Sequence, residues 1–336
     1  MGKIALKVSF LHIFLLTINT PMPLCADEVI ELRKEYYNAR VERIIRVSDD
    51  LMILRVVPDG GVQPFTAGQY ITLGLGAWES RVNGVPDELL TRADATRLIQ
   101  RAYSVSCSLL SESGSPIRAP DCPYLEFYIS LVRLARPSRP MLTPRLFNLA
   151  EGDRLMCGPH FHGHYSTSRV EPDRQILFAA TGTGEAPHNA MLVDLLTGGH
   201  GGRIVFTVCV RWKRDLAYLD AHRKLEHLFA HYLYFPMTTR EPVNLDSAVV
   251  GYTGRRHLQE YVESGKLEQD AGMWLKPENT HIFLCGSPEM IGVPHHTCDL
   301  LRRYPVPKGM VEVFERRGFK VDQPHEPGNI HFEKYW

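Results

Sequence analysis

The segment QILFAATGTGEAPHNAMLVDL, residues 175–195, constrains the fold of this chain more than any other stretch. It begins with an apolar run of strand length at 176–180 and ends as the start of a helix. The turn between them contains Gly182 and Gly184, which allow the backbone to approach a bound group closely, and Pro187 lies near the first helical position. Such a turn presents unpaired N–H groups and the positive end of a helix dipole. The segment therefore predicts either a turn that binds phosphate or pyrophosphate, or a plain structural βα connection.

The rest of the second half repeats this alternation of strand and helix, which favours a parallel sheet covered by helices. Ligands of such sheets bind beyond the carboxyl ends of the strands. Arg211, Arg240 and the pair Cys285-Gly286 each follow a predicted strand, so we expect them to share one rim with the glycine turn. The predicted strands cover 204–210, 232–235 and 281–285, and the predicted helices cover 215–230, 257–264 and 295–303.

The first half is typical of a small antiparallel β-barrel, because several short β-rich runs are separated by turns. Residues 76–99 are polar and are interpreted as an insertion, with helical character over 86–100. The predicted barrel strands cover 38–47, 51–57, 65–73, 101–106 and 124–134.

With 336 residues, of which 44% are hydrophobic, the chain is long enough for two domains. A polar stretch with a proline at 166–173 marks the expected boundary. The predicted organisation is an N-terminal extension at 1–21, a barrel domain at 22–170 and an α/β domain at 171–336.

Charge and cysteine content exclude several classes of function. The 38 basic and 38 acidic residues balance, so wholesale binding of nucleic acid is not expected. The seven cysteines form neither a CxxC pair nor a C-x4-C-x2-C run, so no iron–sulfur cluster or zinc site is encoded. The histidine clusters at 160–164 and at 295–298, where Cys298 joins them, are attributed to chance rather than to a metal site. An odd, unpatterned set of cysteines is typical of a reducing compartment.

Residues 1–21 have the outline of a signal peptide, since two lysines precede an apolar run at 8–18. This run is too short to span a membrane as a helix. Cleavage after Ala26 would leave Leu24 where a small residue is required, so the favoured interpretation is a disordered extension or an overextended start, with Met22 as the true first residue. The expected location is the cytoplasm, with secretion as the alternative and no stable membrane insertion.

The barrel half offers a second ligand surface. In RAYS at 101–104, a cation, an aromatic face and a hydroxyl lie on one strand, and alternation places Arg101 and Tyr103 on the same face. Taken alone, Tyr103 is equally an ordinary core aromatic. At 141–146, Thr143 is expected to cap a helix with a proline at its first position, which predicts a second phosphate site or a plain cap. At the rim, arginines favour NADP over NAD because guanidinium groups bind an extra phosphate bidentately.

Several short motifs occur in the order found in ferredoxin–NADP reductases, and from about residue 38 to the end the chain resembles that family. The resemblance implies an antiparallel FAD-binding β-barrel followed by a parallel-sheet NADP-binding α/β domain. The C-terminal EKYW is similar to the aromatic ending of the family's bacterial branch. The motifs are PFTAGQY (64–70), RAYS (101–104), MLTPRL (141–146), TGTGEAP (181–187), VRWKRDLAY (210–218), TTREP (238–242) and CGSPEM (285–290).

The resemblance also implies roles for single residues. Arg101 and Ser104 would contact FAD, with Ser104 near flavin N5, and Tyr103 would stack on the isoalloxazine ring. Cys285 and Gly286 would border the nicotinamide, so Tyr103, Ser104 and Cys285 are the expected catalytic residues. The other implied contacts are Ala102, Tyr128, Ile129, Ser130, Met141, Leu142 and Thr143 for FAD, Tyr335 and Trp336 covering the flavin, Thr181, Gly182, Thr183, Gly184, Ala186 and Pro187 for the NADP pyrophosphate, and Arg211, Thr239, Arg240 and Arg255 around the 2′-phosphate.

Three side chains stand apart from this pattern. Glu185 and His188 occupy positions where the family often has apolar residues, so the packing beside the pyrophosphate turn is expected to differ. Glu333 is interpreted as a surface carboxylate rather than as a proton relay near the flavin.

The implied enzyme is a ferredoxin–NADP(+) reductase, which moves electrons between NADPH, as hydride through FAD N5, and a one-electron carrier, ferredoxin or flavodoxin. Because no cluster is encoded in the chain, this carrier has to be a separate protein. Arg133, Arg136, Arg139 and Arg145 are candidates for transient docking of an acidic ferredoxin, with a merely solvated basic loop as the alternative. Two other functions stay open: an NADPH-dependent flavin or oxygenase-component reductase, and a non-catalytic flavin- or nucleotide-binding sensor.

Overall fold

The protein is described by a computed structural model that covers residues 24–86, 88, 91–133, 141–296 and 302–335. The strands of its first half form one antiparallel sheet. They are β1 (Ala39–Ser48), β2 (Leu51–Pro58), β3 (Tyr70–Gly76), β4 (Leu98–Ser104), β5 (Leu125–Ser130) and β6 (Arg154–Cys157), in the spatial order β4-β3-β6-β1-β2-β5.

The two outer strands of this sheet meet. Ser106 follows β4, and its N–H donates to the carbonyl of Glu126 in β5 with an N···O distance of 2.8 Å. The sheet therefore closes into a barrel, as the turn-rich first half predicts. Its interior is filled by side chains such as Leu54, Leu73 and Phe127, which are fully buried.

The second half is a parallel sheet, which confirms the predicted fold class. The strands of this half are β7 (Gln175–Thr181), β8 (Ile204–Val210), β9 (Tyr232–Thr238), β10 (Thr280–Gly286), β11 (His295–His296), β12 (Arg302–Arg303) and β13 (Ile330–Lys334). Five of them form the parallel sheet in the order β13-β10-β7-β8-β9, and β11 and β12 form a separate pair.

Helices cover both faces of this sheet, which explains why its central strands are continuous apolar runs. Phe178 and Phe206 point to one face, while Leu177 and Val205 are buried in the other. The helices are α1 (Ala26–Tyr36), α2 (Arg92–Ala95), α3 (Thr143–Leu146), α4 (Glu185–Thr197), α5 (Leu219–Leu228), α6 (Pro242–Leu245), α7 (Leu258–Glu263), α8 (Lys266–Ala271), α9 (Pro288–Ile291) and α10 (Met310–Glu315).

The two halves share a hydrophobic core. Ile53 and Tyr128 of the barrel belong to the same buried cluster as Met191 and Leu196 of α4. The barrel is therefore packed directly against the α/β half. The predicted domain boundary at 166–173 lies in a stretch without helix or strand between β6 and β7.

The insertion at 76–99 differs from the expectation. Within the described residues, α2 covers only four residues and β4 already begins at Leu98, so the predicted helix over 86–100 is wrong. Leu98 pairs with Gly76 at the end of the β3–β4 ladder, and the hydrogen bonds of this ladder outweigh the local helical pattern.

The predicted helix over 295–303 is also wrong at both of its described ends, while residues 297–301 lie outside the described residues. β11 and β12 pair antiparallel there, with His295 opposite Arg303. The segment carries basic residues at both ends and only a narrow apolar run, so a helix would have little apolar surface to bury. Sequence reasoning also missed α1, β6, α6, α8, α9, α10 and β13. Of these, β13 is important because it brings the C-terminus to the carboxyl edge of the sheet.

Within the described ranges, no helix has the length and apolar character that a membrane crossing requires. In the same ranges, no group of three His, Cys, Asp or Glu side chains is arranged to hold a metal ion. The cysteines that the structure describes are all free thiols.

Candidate functional site

A cavity of about 660 Å³ lies between the barrel and the carboxyl edge of the parallel sheet. Its lining includes every residue of the three predicted flavin-contact stretches, 101–104, 128–130 and 141–143. Thr183 of the glycine turn and Tyr335 of the C-terminus complete it from the other half. The structure therefore brings together residues that are more than two hundred positions apart in the chain. The volume of the cavity lies in the range of small-molecule sites.

Tyr103 supplies an aromatic face to this cavity. Its ring packs edge-on against Phe127 with a centroid distance of 6.4 Å, which holds it on the inner side of β4. Burial raises the pKa of Tyr103, so the phenol stays neutral. Arg101, two residues earlier, also lines the cavity, but its side chain is exposed and makes no ion pair within the described residues. The Arg101 guanidinium donates to the Gln100 carbonyl at 2.6 Å, so the RAYS stretch combines a fixed ring with a cation that has no acidic partner in the described ranges.

Ser104 and Glu333 form the polar wall of the cavity. The Ser104 hydroxyl donates to Glu333 Oε2 at 2.9 Å. Burial raises the pKa of Glu333 above its ordinary value, and the bond from Ser104 opposes that rise. The interpretation of Glu333 as a surface carboxylate is therefore wrong. β13 pairs with β10 and places Glu333 beside Cys285, inside the molecule.

Tyr335 and Cys285 lie beside this pair. The Tyr335 N–H donates to the carbonyl of Gly286 at 3.0 Å, which attaches the C-terminus to the end of β10. Burial raises the pKa of the Tyr335 phenol, Cys285 and Glu333 add to the rise, and Ser104 opposes it. Burial also raises the pKa of the Cys285 thiol, so it stays protonated. Four polar side chains thus converge on the place where the two halves meet.

The glycine turn is built for close approach. Gly182 has φ +52°, in the left-handed region, and Gly184 packs so tightly that a Cβ there would lie 2.3 Å from the Cys285 carbonyl oxygen. Residues 182–184 form a short 3-10 turn, and α4 begins at Glu185, so Pro187 is the third helical residue rather than the first. The turn that follows β7 therefore packs directly against the end of β10.

Arginines occupy the neighbouring strand ends, as predicted. Arg211 and Arg240 are adjacent because the Arg240 N–H donates to the Arg211 carbonyl at 2.9 Å, and buried Thr239 precedes Arg240. Arg255 lies near the end of β8, where its charge opposes the burial that raises the pKa of Cys209 to about 11. All three side chains are exposed, and none forms an ion pair or side-chain hydrogen bond within the described residues. They form a cluster of uncompensated cations on the rim.

Two expectations for the segment 141–146 are corrected. Leu142, not Thr143, precedes α3, and the Thr143 hydroxyl accepts a hydrogen bond from the Val132 N–H at 3.0 Å instead of capping the helix. Arg145 is 2% exposed and forms an ion pair with Glu88 of the insertion at 2.8 Å, so it is not a docking residue. The ion pair attaches the insertion to α3, and loss of Glu88 would leave a buried charge without its partner, which is costly.

The side chains of Glu185 and His188 point away from the glycine turn into the domain. Glu185 Oε1 lies 3.0 Å from His222 Nε2 and accepts from the Tyr234 hydroxyl at 3.1 Å. His188 Nε2 lies 2.7 Å from the Tyr165 hydroxyl, and burial lowers the pKa of His188 to about 3, so the imidazole is neutral. Both departures from the family pattern are therefore buried polar contacts of α4.

Sequence reasoning missed several residues of the cavity wall. Tyr70, Val132 and Lys334 line it together with Glu333. Tyr70 ends the motif PFTAGQY and was recognisable from that motif; Val132 and Lys334 had no signal of their own. The predicted residues Arg136, Arg139, Cys298 and Trp336 lie outside the described residues, and Arg133 donates to Asp50 at 2.7 Å.

The α/β half matches the family model described as oxidoreductase NAD-binding domain over residues 178–295, the part that carries the rim. The fold thus consists of a barrel and a second domain that is similar to the NAD-binding domains of oxidoreductases. A flavodoxin/ferredoxin–NADP reductase of Buchnera aphidicola subsp. Baizongia pistaciae is 24% identical over 90% of this chain and 99% of its own length. The protein of that name from Escherichia coli is 28% identical over 76% of this chain and 87% of its own length.

Among solved structures, a ferredoxin NADP+ reductase from Neisseria gonorrhoeae with bound FAD and NADP superposes with a TM-score of 0.63, at 19% identity, over 90% of this chain and 99% of that one. The fold predicted from the motifs is therefore confirmed. The chain is similar to bacterial ferredoxin–NADP reductases in the order of its motifs, in sequence and in fold.

Proposed function

We propose that this protein is a ferredoxin–NADP(+) reductase, which moves electrons between NADPH and ferredoxin or flavodoxin through bound FAD. One observation carries the proposal: a largely apolar cavity between the barrel and the parallel sheet lies beside Cys285 and Glu333 at the carboxyl edge of that sheet, the edge at which Arg211 and Arg240 follow their strands. The names of the bacterial relatives, and the FAD and NADP bound to the solved neighbour, support it.

The cavity residues fit a flavin. Tyr103 offers a ring face, Arg101 offers an unpaired cation to a phosphate, and Tyr335 closes the opposite side. When bound, FAD supplies the conversion between a hydride and single electrons. Burial raises the pKa of Glu333, which favours its protonated form more than in an exposed carboxyl group, and Ser104 keeps that carboxyl beside the cavity. The ring contacts exclude water from this wall.

The rim fits NADPH. Residues 181–187 would bind the pyrophosphate through free N–H groups of the turn. Arg211, Arg240 and Arg255 would hold the 2′-phosphate, because they are exposed, close in space and not neutralised by acidic partners within the described residues. Cys285 would then border the nicotinamide beside the cavity. Alignment of the two rings is the main contribution of the protein to hydride transfer.

The one-electron partner would be a separate ferredoxin or flavodoxin, which binds transiently. The free thiols of the described residues are typical of a reducing compartment, so we place the protein in the cytoplasm.

The test is a visible absorption spectrum of the purified protein, followed by anaerobic titration with NADPH and with NADH. We expect a bound flavin spectrum that NADPH bleaches much faster than NADH, and reoxidation by added ferredoxin or flavodoxin. A protein that stays colourless after reconstitution with FAD, or a bound flavin that NADPH does not reduce, would refute the proposal. Reoxidation by free FMN alone would favour the flavin reductase instead.

A further inference from the structure

The loop after β8 connects the cationic rim to the barrel. It starts at Arg211, passes through a short 3-10 turn at Lys213–Asp215 and ends at Tyr218. The Tyr218 ring packs edge-on against Tyr128 of β5, with a centroid distance of 5.6 Å. Tyr128 lines the cavity, whereas Tyr218 lies behind it and is 5% exposed. One short loop thus runs from the arginines to the back of the cavity wall.

Two tyrosine hydroxyls cross the interface in opposite directions. Tyr218 donates to Glu126 Oε1 in the barrel at 3.1 Å. Because its single proton is used there, Ser106 donates to the Tyr218 oxygen, at 3.2 Å. In return, Tyr128 donates to the backbone carbonyl of Asp215 at 2.7 Å. These contacts fix both the distance and the rotation of the loop relative to β5.

The buried carboxylate of Glu126 makes the hydrogen bond from Tyr218 costly to lose. Its side chain is 2% exposed, and Oε2 is held by Arg55 at 2.8 Å and by Ser108 at 2.7 Å. Within the described residues, Oε1 has Tyr218 as its hydrogen-bond donor. A buried carboxylate oxygen without a donor is costly, so the barrel and the loop are held in the one arrangement that supplies it.

We infer that Tyr218 is a positioning residue for hydride transfer: through Glu126 and Tyr128 it sets how the α/β domain presents the nicotinamide to the flavin cavity. The inference rests on the proposed function. Tyr218 lines neither the cavity nor the arginine rim, so its effect is on alignment rather than on binding. Alignment is decisive because a displacement of about 1 Å can slow such a reaction by about 100-fold.

The test compares Tyr218→Phe with Tyr261→Phe. Tyr261 is the control, since this largely buried tyrosine also donates its hydroxyl to a carboxylate, that of Asp270 at 2.8 Å, but within one domain. In stopped-flow reduction of the FAD-loaded protein at saturating NADPH, we expect Tyr218→Phe to lower the limiting rate about 10-fold or more. FAD content and the Kd for NADP+ should stay within about twofold, and Tyr261→Phe should react like the wild type.

A double variant separates positioning from general destabilisation. In a Glu126→Gln background the buried charge is gone, so Tyr218→Phe should lower the limiting rate far less than in the wild type. A limiting rate of Tyr218→Phe equal to that of the wild type would overturn the inference, while reduction of the wild type by NADPH would leave the proposed function intact. If the wild type itself is not reduced, the proposed function fails first and the inference fails with it.

If Tyr218→Phe does not fold, Ser106→Ala replaces it. This variant removes only the hydroxyl that donates to Tyr218, and we expect a decrease of the limiting rate of about threefold. An unchanged rate in Ser106→Ala would then overturn the inference.

Discussion

The cavity proposed for FAD and the rim proposed for NADPH differ in the burial and in the pairing of their charged groups. The cavity is walled by barrel strands, its carboxyl group is buried with a raised pKa, and its aromatic rings are fixed by packing. The rim is made of loop residues, and its three arginines are exposed and lack acidic partners within the described residues. A largely apolar cavity suits a ligand that stays, whereas exposed cations attract a charged ligand that exchanges, since little desolvation accompanies each binding event.

The fates of individual arginines illustrate the difference. The Arg145 guanidinium, on the cavity side, forms an ion pair with Glu88 and donates to two backbone carbonyls, so its role is structural. Arg240 on the rim keeps its guanidinium free and therefore remains available to a ligand. The predictions below test this contrast, starting with the largest expected effect.

Replacing Gly286 by Ala should disrupt the junction of the two sites most. A Cβ at this position would lie 2.4 Å from Thr181 Oγ1 and 2.6 Å from the Thr181 carbonyl oxygen, and φ is +121°. We expect a loss of about 3 kcal/mol or more in the free energy of unfolding, measured in urea, and loss of reduction by NADPH. Gly182→Ala is the control, because φ is +52° but nothing lies within 4 Å, so it should cost only about 1–2 kcal/mol. Equal losses in both variants would contradict the crowding.

Arg240→Ala tests the rim. Because Arg240 makes no ion pair in the described part of the chain, its removal should change the free energy of unfolding by less than about 0.5 kcal/mol. The KM for NADPH should rise about 10–100-fold, as expected for one lost charge-assisted phosphate contact, and the KM for NADH should hardly change. Steady-state kinetics with both nucleotides measure this, with Arg43→Ala on the barrel surface as the control. An equal rise for NADH would argue against a 2′-phosphate contact.

His188 tests the buried polar contacts of α4, the helix that follows the glycine turn. Burial lowers its pKa from 6.5 to about 3, so the native protein binds fewer protons than the unfolded chain over that interval. The stabilising contribution is complete above pH 6.5 and is lost as the pH falls toward 3. Between pH 7 and pH 5 the wild type should therefore lose about 2 kcal/mol through this residue.

The substitution His188→Gln removes the imidazole and with it this pH-dependent contribution to the free energy of unfolding. Unfolding in urea at pH 7, 6 and 5 should give a shallower pH slope for the variant than for the wild type. Since burial also lowers the pKa of His331, to about 4, only the difference between the two slopes reports on His188. Identical slopes would mean that His188 is not held neutral.

Glu333→Gln is expected to have the smallest effect. The raised pKa of Glu333 means that its protonated form is lost only as the pH rises through a value above the ordinary one. We expect the wild-type turnover rate to fall with rising pH in that window, and the variant to be a few-fold slower but independent of pH there. Gln keeps a hydrogen-bond acceptor for Ser104, so FAD content should not change. A pH profile unaltered by the substitution would exclude Glu333 as the titrating group.

Much of this architecture could be predicted from local sequence. β8 was predicted with the bounds that the structure has, and the first hairpin and the strand before the glycine turn are confirmed to within a few residues. These runs are recognisable because stretches of apolar and β-branched residues of strand length, bounded by turns, specify strands locally. The helices predicted over 86–100 and 295–303 failed where strand pairing, a non-local interaction, outweighed local propensity.

The sequence by itself determined the succession of a β-rich half and an alternating strand–helix half, the glycine turn and the placement of Arg211, Arg240 and Cys285 at strand ends, because each follows from residues close together in the chain. Only the tertiary structure decided which of these groups are buried or paired. Ser104 and Glu333 lie 229 residues apart, and Arg145 and Glu88 lie 57 apart. Burial and partnership depend on such distant contacts, which set both the charge of a carboxyl group and the availability of an arginine.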